Sequence, residues 1–432
     1  MDFLSDLSLV DGPFLWFSIA CGAAGAACLL WRRTRSWLLV VPACLGAAVG
    51  MVALAHWLLV DVLAVFSENL PFETLVWSVP AVAAVLLCLA KFPRSGWKLR
   101  WANVAAMLGV VLLCVVQVNL YFGLNNTVSD LLGTAVARIQ PLEPGLQRGS
   151  AAQAPVPVST WKTPDAMPRG GVLRKAAIPG TVSGFAAREA YIYLPPAYQT
   201  EPRPALPVLV LFSGQPGGPA DWLTGGQLRS QMDRFAESHG GLAPVTVVVD
   251  PNGSGSANTM CMDSRIAKAG TYLSRDVPAW IAATLDVSTD AGQWSVGGFS
   301  FGGTCAVQMG TSHPELFTSV LAFAAEQEPA LAKDRHKTIA DSFEGDVAAF
   351  EAGTPLVLMR ERTYPDSGMY LTAGVSDTEF TGYMHVLADA ARDAGFTVEE
   401  HSIPHAGHSW DAVVRSMPGA LSFLSSRWGL TR

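Results

Sequence analysis

Charge is scarce in this chain of 432 residues, where Asp, Glu, Lys and Arg together make up 15%. The scarcity is uneven, and one sign is missing from two places. No Lys or Arg occurs in the N-terminal tail or between residues 61 and 74; these stretches carry Asp2, Asp6, Asp11, Asp61, Glu68 and Glu73 instead. An acidic start lacks the positive n-region of a secretory signal peptide, and no small-residue cleavage site follows it. The first apolar run is therefore not read as a removable leader. Internal repeats are also absent, which excludes a repeat array. Cysteine is nearly missing outside the apolar runs: Cys21, Cys28, Cys44, Cys88 and Cys114 lie within them, where they behave as small hydrophobes. Only Cys261 and Cys305 remain. In an oxidising compartment they invite one disulfide, and two separate buried thiols are the alternative.

What the first 120 residues do have is apolar length. Four runs, at about 14–31, 37–60, 75–90 and 101–120, approach or exceed the ~20 residues that cross a bilayer as a helix. The third is the shortest and contains Pro80. Arg32, Arg33 and Arg35 follow the first run, and Lys91, Arg94, Lys98 and Arg100 follow the third. Basic loops stay cytoplasmic, so this asymmetry predicts a multi-pass cell-membrane protein whose N-terminus and everything after residue 120 are extracytoplasmic. Trp31, Trp37, Trp97 and Trp101 fit an interfacial aromatic belt. A buried helical bundle in a soluble protein is the competing reading. His56 and Asp61 lie near a helix end, so no polar transport path runs through the apolar segments. Beyond residue 120 lie 22 of the 29 basic and 30 of the 36 acidic residues, a net charge of −8. An acidic outer part argues against nucleic acid as a partner.

The expected division is a four-helix transmembrane domain at 1–124, an extracytoplasmic linker at 125–169 and a larger domain at 170–432. The Pro-rich linker reads as extended and without a core of its own, apart from a short surface helix at 129–132. After it, strand-like and helix-like segments alternate. Strands are expected at 190–194, 208–212, 245–249, 294–297, 320–323, 369–373 and 397–403. Helices are expected at 227–238, 277–285, 302–312, 380–394 and 409–426, the last broken or kinked at Pro418-Gly419. Continuous apolar strands and regular alternation predict an α/β class, a doubly wound and mostly parallel sheet. The more polar stretch 326–355 reads as a cap over the cleft.

One pattern in this domain carries chemistry. Gly298-Phe299-Ser300-Phe301-Gly302 follows an apolar strand and opens a helix, with small residues flanking a serine. A serine hydroxyl needs a base to take its proton, and a sharp strand-to-helix turn lifts it clear of the backbone. The base is expected from the loop after the last strand, where His408 is preferred and His405 is the alternate. His401 lies in the strand itself. These three histidines fall on a strand-to-loop segment that gives no tetrahedral metal register, so no metal is expected. The acid is expected after residues 369–373, as Asp377, with Glu379 as alternate. The order Ser300, Asp377, His408 is that of the α/β-hydrolase fold. Two backbone N–H donors must face the developing oxyanion. Phe301 is one, and Gln215 in the loop 212–218 is the other. Trp222, Asp263 and Trp410 are candidate pocket walls, with core packing the equal reading for each Trp.

These residues resemble the esterase D and antigen 85 branch of the α/β hydrolases, and more closely actinobacterial membrane proteins that join four N-terminal helices to such a domain. The resemblance rests on Tyr193-Leu194-Pro195-Pro196-Ala197-Tyr198, on the Gly298–Gly303 elbow with Thr304-Cys305, on Cys261-Met262-Asp263-Ser264 and on Gly407-His408-Ser409-Trp410. It spans about residues 170–430. It implies carboxylesterase or acyl-transfer activity in the cell envelope, with a lipid or acylated sugar as substrate, the bilayer as partner and no cofactor. This chain departs from the mycolyltransferases in following Trp410 with Asp411-Ala412 and in using Asp where they use Glu. Three functions are thus expected in descending order: a serine esterase, an acyltransferase with the same triad, and a non-catalytic envelope scaffold.

Overall fold

The computed structural model describes residues 7–31, 34–150 and 154–430. Asp2, Asp6, Arg32 and Arg33, which enter the charge argument above, lie outside them. The chain forms two compact units, one of Met1–Ala135 with Ala332–Asp334 and one of Val136–Leu331 with Arg335–Arg432.

The first unit holds four long apolar helices: α1 (Gly12–Leu30), α2 (Trp37–Trp57, continued by a π-helical turn, Leu58–Val62), α3 (Phe72–Lys91) and α4 (Trp97–Phe122). Each is long and apolar enough to cross a membrane. α3 is longer than its expected run, because Pro71 caps its start and Glu73 adds a polar first turn. α1 and α4 approach so closely that a Cβ on Gly109 would lie 2.7 Å from the Cys21 carbonyl oxygen. Lys91, 4% exposed, donates to the carbonyls of Cys28 (2.6 Å) and Trp31 (3.1 Å), so its ammonium sits at the negative end of α1. Trp31, Trp97 and Trp101 are exposed, as a belt residue should be. Trp37 is not: it is buried, its Nε1 donates to the Leu30 carbonyl at 2.9 Å, and the Lys91 ammonium lies over its ring. After α4 a short helix, Val128–Leu131, starts in a capping box of Thr127 and Asp130.

In the second unit a nine-stranded sheet runs through the core. Its strands are β1 (Gln140–Pro141), β2 (Val172–Ala176), β3 (Ala190–Leu194), β4 (Val208–Phe212), β5 (Val245–Val249), β6 (Trp294–Phe299), β7 (Ser319–Phe323), β8 (Gly368–Gly374) and β9 (Thr397–Ile403). The spatial order is β1-β2-β3-β5-β4-β6-β7-β8-β9. β3 is antiparallel to β2 and β5, and every other pairing is parallel. β4 to β8 are buried at every position, as strands covered on both faces must be. The helices named below are α5 (Leu228–Ser238), α6 (Val277–Thr284), α7 (Phe301–Ser312), α8 (Arg335–Phe343), α9 (Val347–Glu351), α10 (Pro355–Glu361), α11 (Thr378–Asp393) and α12 (Trp410–Trp428). This is an α/β-hydrolase fold. α8 and α9 lie in the stretch 326–355 expected as a cap, and α10 begins at its end. Ile339 and Phe350 there pack against Met260 and Met262, which flank Cys261. Cys261 is bonded to Cys305 in α7, with Cα atoms 5.5 Å apart.

One expectation, a break or kink of the last helix at Pro418, is corrected in its first part. The helix is not broken there. Proline cannot donate to the carbonyl four residues back, that of Val414, and the side-chain amide of Gln231 in α5 donates to it instead, at 3.1 Å. The linker at 125–169 is attached to the second unit: β1 joins the sheet, and the residues after it are tied down by a buried arginine. Arg203 donates to the carbonyls of Gln147 (3.1 Å) and Gly145 (2.7 Å) and pairs with Asp286 at 2.8 Å, both side chains being at most 5% exposed. Trp161 is buried nearby, donating to the Pro202 carbonyl at 3.1 Å.

Removing one partner of a buried pair strands the other charge. Arg203→Met should therefore destabilise the second unit by about 3–5 kcal/mol in denaturant melts, whereas Arg174→Met at the half-exposed Glu143 pair should cost under ~1 kcal/mol. Loss of the 44-residue cross-link in Cys261→Ser/Cys305→Ser should cost about 2–4 kcal/mol in the same assay, and wild type under reductant should match it.

Candidate active site

The second unit brings Ser300, His408 and Asp377 together from three loops at one edge of the sheet. Ser300 lies between β6 and α7 with φ 57° and ψ −125°, a backbone conformation that side chains rarely adopt. Its N–H donates to the Phe323 carbonyl at 2.9 Å, tying the turn to β7. Gly298 makes the turn possible, because a Cβ there would fall on the Gly302 carbonyl. The elbow therefore needs its small residues for clearance.

The other two groups come from the ends of β8 and β9. β8 ends at Gly374, where a Cβ would collide with the carbonyls of Ala406 and Gly407, so the loop 404–409 can lie directly against it. Val375 N–H donates to the Ile403 carbonyl (3.0 Å) and Ser376 N–H to that of Ala406 (2.9 Å), stitching the two loops. Within this frame His408 Nδ1 is 2.8 Å from Asp377 Oδ2, and His408 Nε2 is 2.8 Å from Ser300 Oγ. A carboxylate only accepts, so Nδ1 carries the proton and Nε2 presents its lone pair to the serine O–H. Asp377 is also the N-cap of α11, accepting weakly from Phe380 N–H at 3.5 Å. The rings of Phe380 and Phe299 lie 4.2 and 4.8 Å from the imidazole, which fixes its plane. Ser300 and His408 are 9% and 8% exposed, so the proton path is shielded from bulk water.

The remaining candidates are placed as follows. Phe301 is the first residue of α7, and the first N–H groups of a helix have no intrahelical acceptor. The loop after β4 lies against the start of α7: a Cβ on Gly302 would be 3.0 Å from the Ser213 carbonyl oxygen. Gln215 lies in this loop with its side-chain amide turned to the Ser256 carbonyl at 3.3 Å. Glu379 accepts from Tyr383 O–H at 2.8 Å. His405 is exposed, with φ 56°; His401 is exposed on β9 beside Glu399.

One pocket assignment is corrected. Trp222 is fully buried, donates through Nε1 to the Phe212 carbonyl at 2.9 Å and packs edge-on against Trp410, so it is core beneath the site. Asp263 turns back on its own loop, accepting from Thr271 N–H at 2.8 Å. Trp410, 6% exposed, supports Phe299 at 5.0 Å. Sequence reasoning missed Glu326, a buried residue whose N–H donates to Thr304 Oγ1 at 2.9 Å one turn behind the serine. It also missed Phe299 and Phe380 as the walls of the imidazole.

A family model described as "Putative esterase" matches residues 186–424, more than half of the chain and all of the site just described. The chain belongs to this esterase family. A Corynebacterium glutamicum protein, itself uncharacterized, is 36% identical over 270 residues, covering 60% of this chain and 63% of that one. The chain thus matches less than two thirds of that relative's length. Among solved structures, a ferulic acid esterase is similar with a TM-score of 0.52 at 17% identity, over 60% of this chain and 98% of that one. An S-formylglutathione hydrolase from Agrobacterium tumefaciens is similar with a TM-score of 0.51 at 19% identity, over 61% and 99%. At these identities the likeness is one of fold.

If Asp377 sets the tautomer of His408, Asp377→Asn should lower kcat by about 10⁴-fold with little change in fold, because an amide NH2 donates to Nδ1, moves the ring proton to Nε2 and leaves the serine without a base. Glu379→Gln should leave kcat within about twofold. Hydrolysis of a short-chain p-nitrophenyl ester, with circular dichroism as the folding control, checks both.

Proposed function

We propose that this esterase is a membrane-anchored, extracytoplasmic serine esterase of the esterase D and antigen 85 branch, acting on acyl esters of cell-envelope lipids or acylated sugars. The observation that carries the reading is the unbroken chain of two 2.8 Å hydrogen bonds from Asp377 through His408 to Ser300. His408 takes the Ser300 proton as Oγ attacks the ester carbonyl, and Asp377 stabilises the imidazolium that forms. The tetrahedral oxyanion is held by the Phe301 N–H and by a second N–H from the loop 212–218, with Gln215 as the donor. The imidazolium then protonates the departing alkoxide. An acyl-Ser300 ester remains, which water, deprotonated by His408, cleaves.

Anchoring is supported by the four apolar helices and by the basic residues that flank only one end of each pair. In this reading residues 1–124 are the anchor and 170–432 the catalytic domain, with both the N-terminus and that domain outside. One observation favours acyl transfer as a second reading: Ser300 and His408 are buried residues, 9% and 8% exposed, which disfavours water against a bound alcohol.

A fluorophosphonate probe should label the wild-type protein in membranes and leave Ser300→Ala unlabelled; labelling of both would remove Ser300 as the nucleophile. Added trehalose or glycerol separates the two readings, since transfer yields a new acylated acceptor while hydrolysis yields only free acid.

A further inference from the structure

One ion pair of the second unit sits where three loops of this site meet, and the reaction as written does not use it. Asp250 follows β5, and its side chain is wholly buried. Its carboxylate accepts five hydrogen bonds: from the N–H groups of Arg188 (2.9 Å), Asn252 (3.0 Å) and Gly253 (3.0 Å), and from Arg188 Nε and Nη2, each at 2.8 Å. Burial alone would push this carboxyl up. The guanidinium and the backbone donors outweigh burial and hold it below the usual carboxylate range. Satisfying a buried Asp to this degree makes a rigid anchor.

The guanidinium then reaches onward. Arg188 Nη2 also donates to the Gly217 carbonyl at 2.9 Å, and Gly217 N–H donates to the Gly255 carbonyl at 2.9 Å. Gly218 leaves room for the arginine, since a Cβ there would stand 2.7 Å from Nη1. The loop after β4 is thus gripped at Gly217 from the Asp250 side, while Ser213 lies against the first turn of α7. Between those two points lies Gln215. A loop bound at only one end would leave its N–H free to wander, and an oxyanion donor acts only when it is already in place.

We propose that Arg188 is a positioning residue for the oxyanion donor of the loop 212–218, acting through the Gly217 carbonyl and anchored by Asp250. The inference rests on the serine-esterase reading above and names the group that fixes one half of its oxyanion site. It requires no contact between Arg188 and the ester.

The test uses full-length protein in detergent, with p-nitrophenyl ester turnover and the second-order rate of fluorophosphonate labelling as readouts. Arg188→Ala should lower kcat and the labelling rate together by about 10²-fold, the loss typical of one oxyanion donor. KM should stay within about threefold, since ground-state binding is untouched. Arg188 is one-third exposed, so added guanidinium can enter the vacated seat and should restore at least about tenfold of the rate. Because Arg188→Ala leaves a buried charge, the double variant Arg188→Met/Asp250→Asn is the folded control. It removes both charges and keeps an amide oxygen as acceptor for the backbone N–H groups of residues 188 and 253, and it should keep a cooperative thermal transition while losing the same factor in kcat. A double variant with wild-type kcat overturns the proposal, as does a guanidinium effect that raises the midpoint of Arg188→Ala without raising its rate. Wild-type protein that neither turns over ester nor takes the probe overturns the esterase reading itself, and this inference with it.

Discussion

The site depends on a backbone turn that the chain would not adopt unaided. Ser300 at φ 57° stores strain of about 1–3 kcal/mol, and it persists because its surroundings leave no alternative. β6 is held between β4 and β7, α7 starts at the next residue, and the Phe323 carbonyl fixes the serine N–H. The partners come from far along the chain: 108 residues separate Ser300 from His408. Their meeting is therefore a property of the assembled sheet, in which the ends of β6, β8 and β9 reach one edge. Gly374 shows how narrow the tolerance is, since any side chain there would displace the loop that carries the imidazole.

Much of this frame was legible in the sequence. β3, β4, β5 and β9 fall on the expected residues, the first three because their apolar or β-branched runs stand out from the flanking sequence. The elbow was legible because a serine among small residues between a strand and a helix has few other uses. β2 was not, since Val172-Leu173-Arg174-Lys175-Ala176 offers neither a continuous apolar run nor alternation. The choices of Asp377 over Glu379 and of His408 over His405 turn on a two- or three-residue difference in loop position. Sequence ranked them, and only the approach of the two loops supplies the distances. The Arg188–Asp250 pair was invisible for another reason. Its partners are 62 residues apart, and a lone arginine before a strand gives no pattern. Trp222 and Trp37 show the limit for aromatics, whose amphipathic rings suit a pocket wall, a membrane belt or a core equally well.

The two units present different surfaces. In the second, apolar side chains point inward and the acidic surface faces water. The first exposes Trp16, Leu38, Leu39, Phe72 and Leu89 over more than half of their surface, which supports the proposed anchoring because hydrocarbon, unlike water, accepts such a face. Lys91 belongs to neither pattern. Its buried ammonium is tolerated because two carbonyls at the end of α1 and the face of Trp37 replace its hydration.

α12 runs through Pro418, and an amide from another helix occupies the acceptor that the proline leaves vacant. Neither residue is advantageous by itself: without the glutamine the ring orphans a carbonyl, and without the ring the glutamine competes with a regular helical bond. The two should be inherited as a unit, so that descendants which drop one have dropped the other, a linkage between positions 231 and 418 that leaves its imprint in the lineage and has no bearing on the ester.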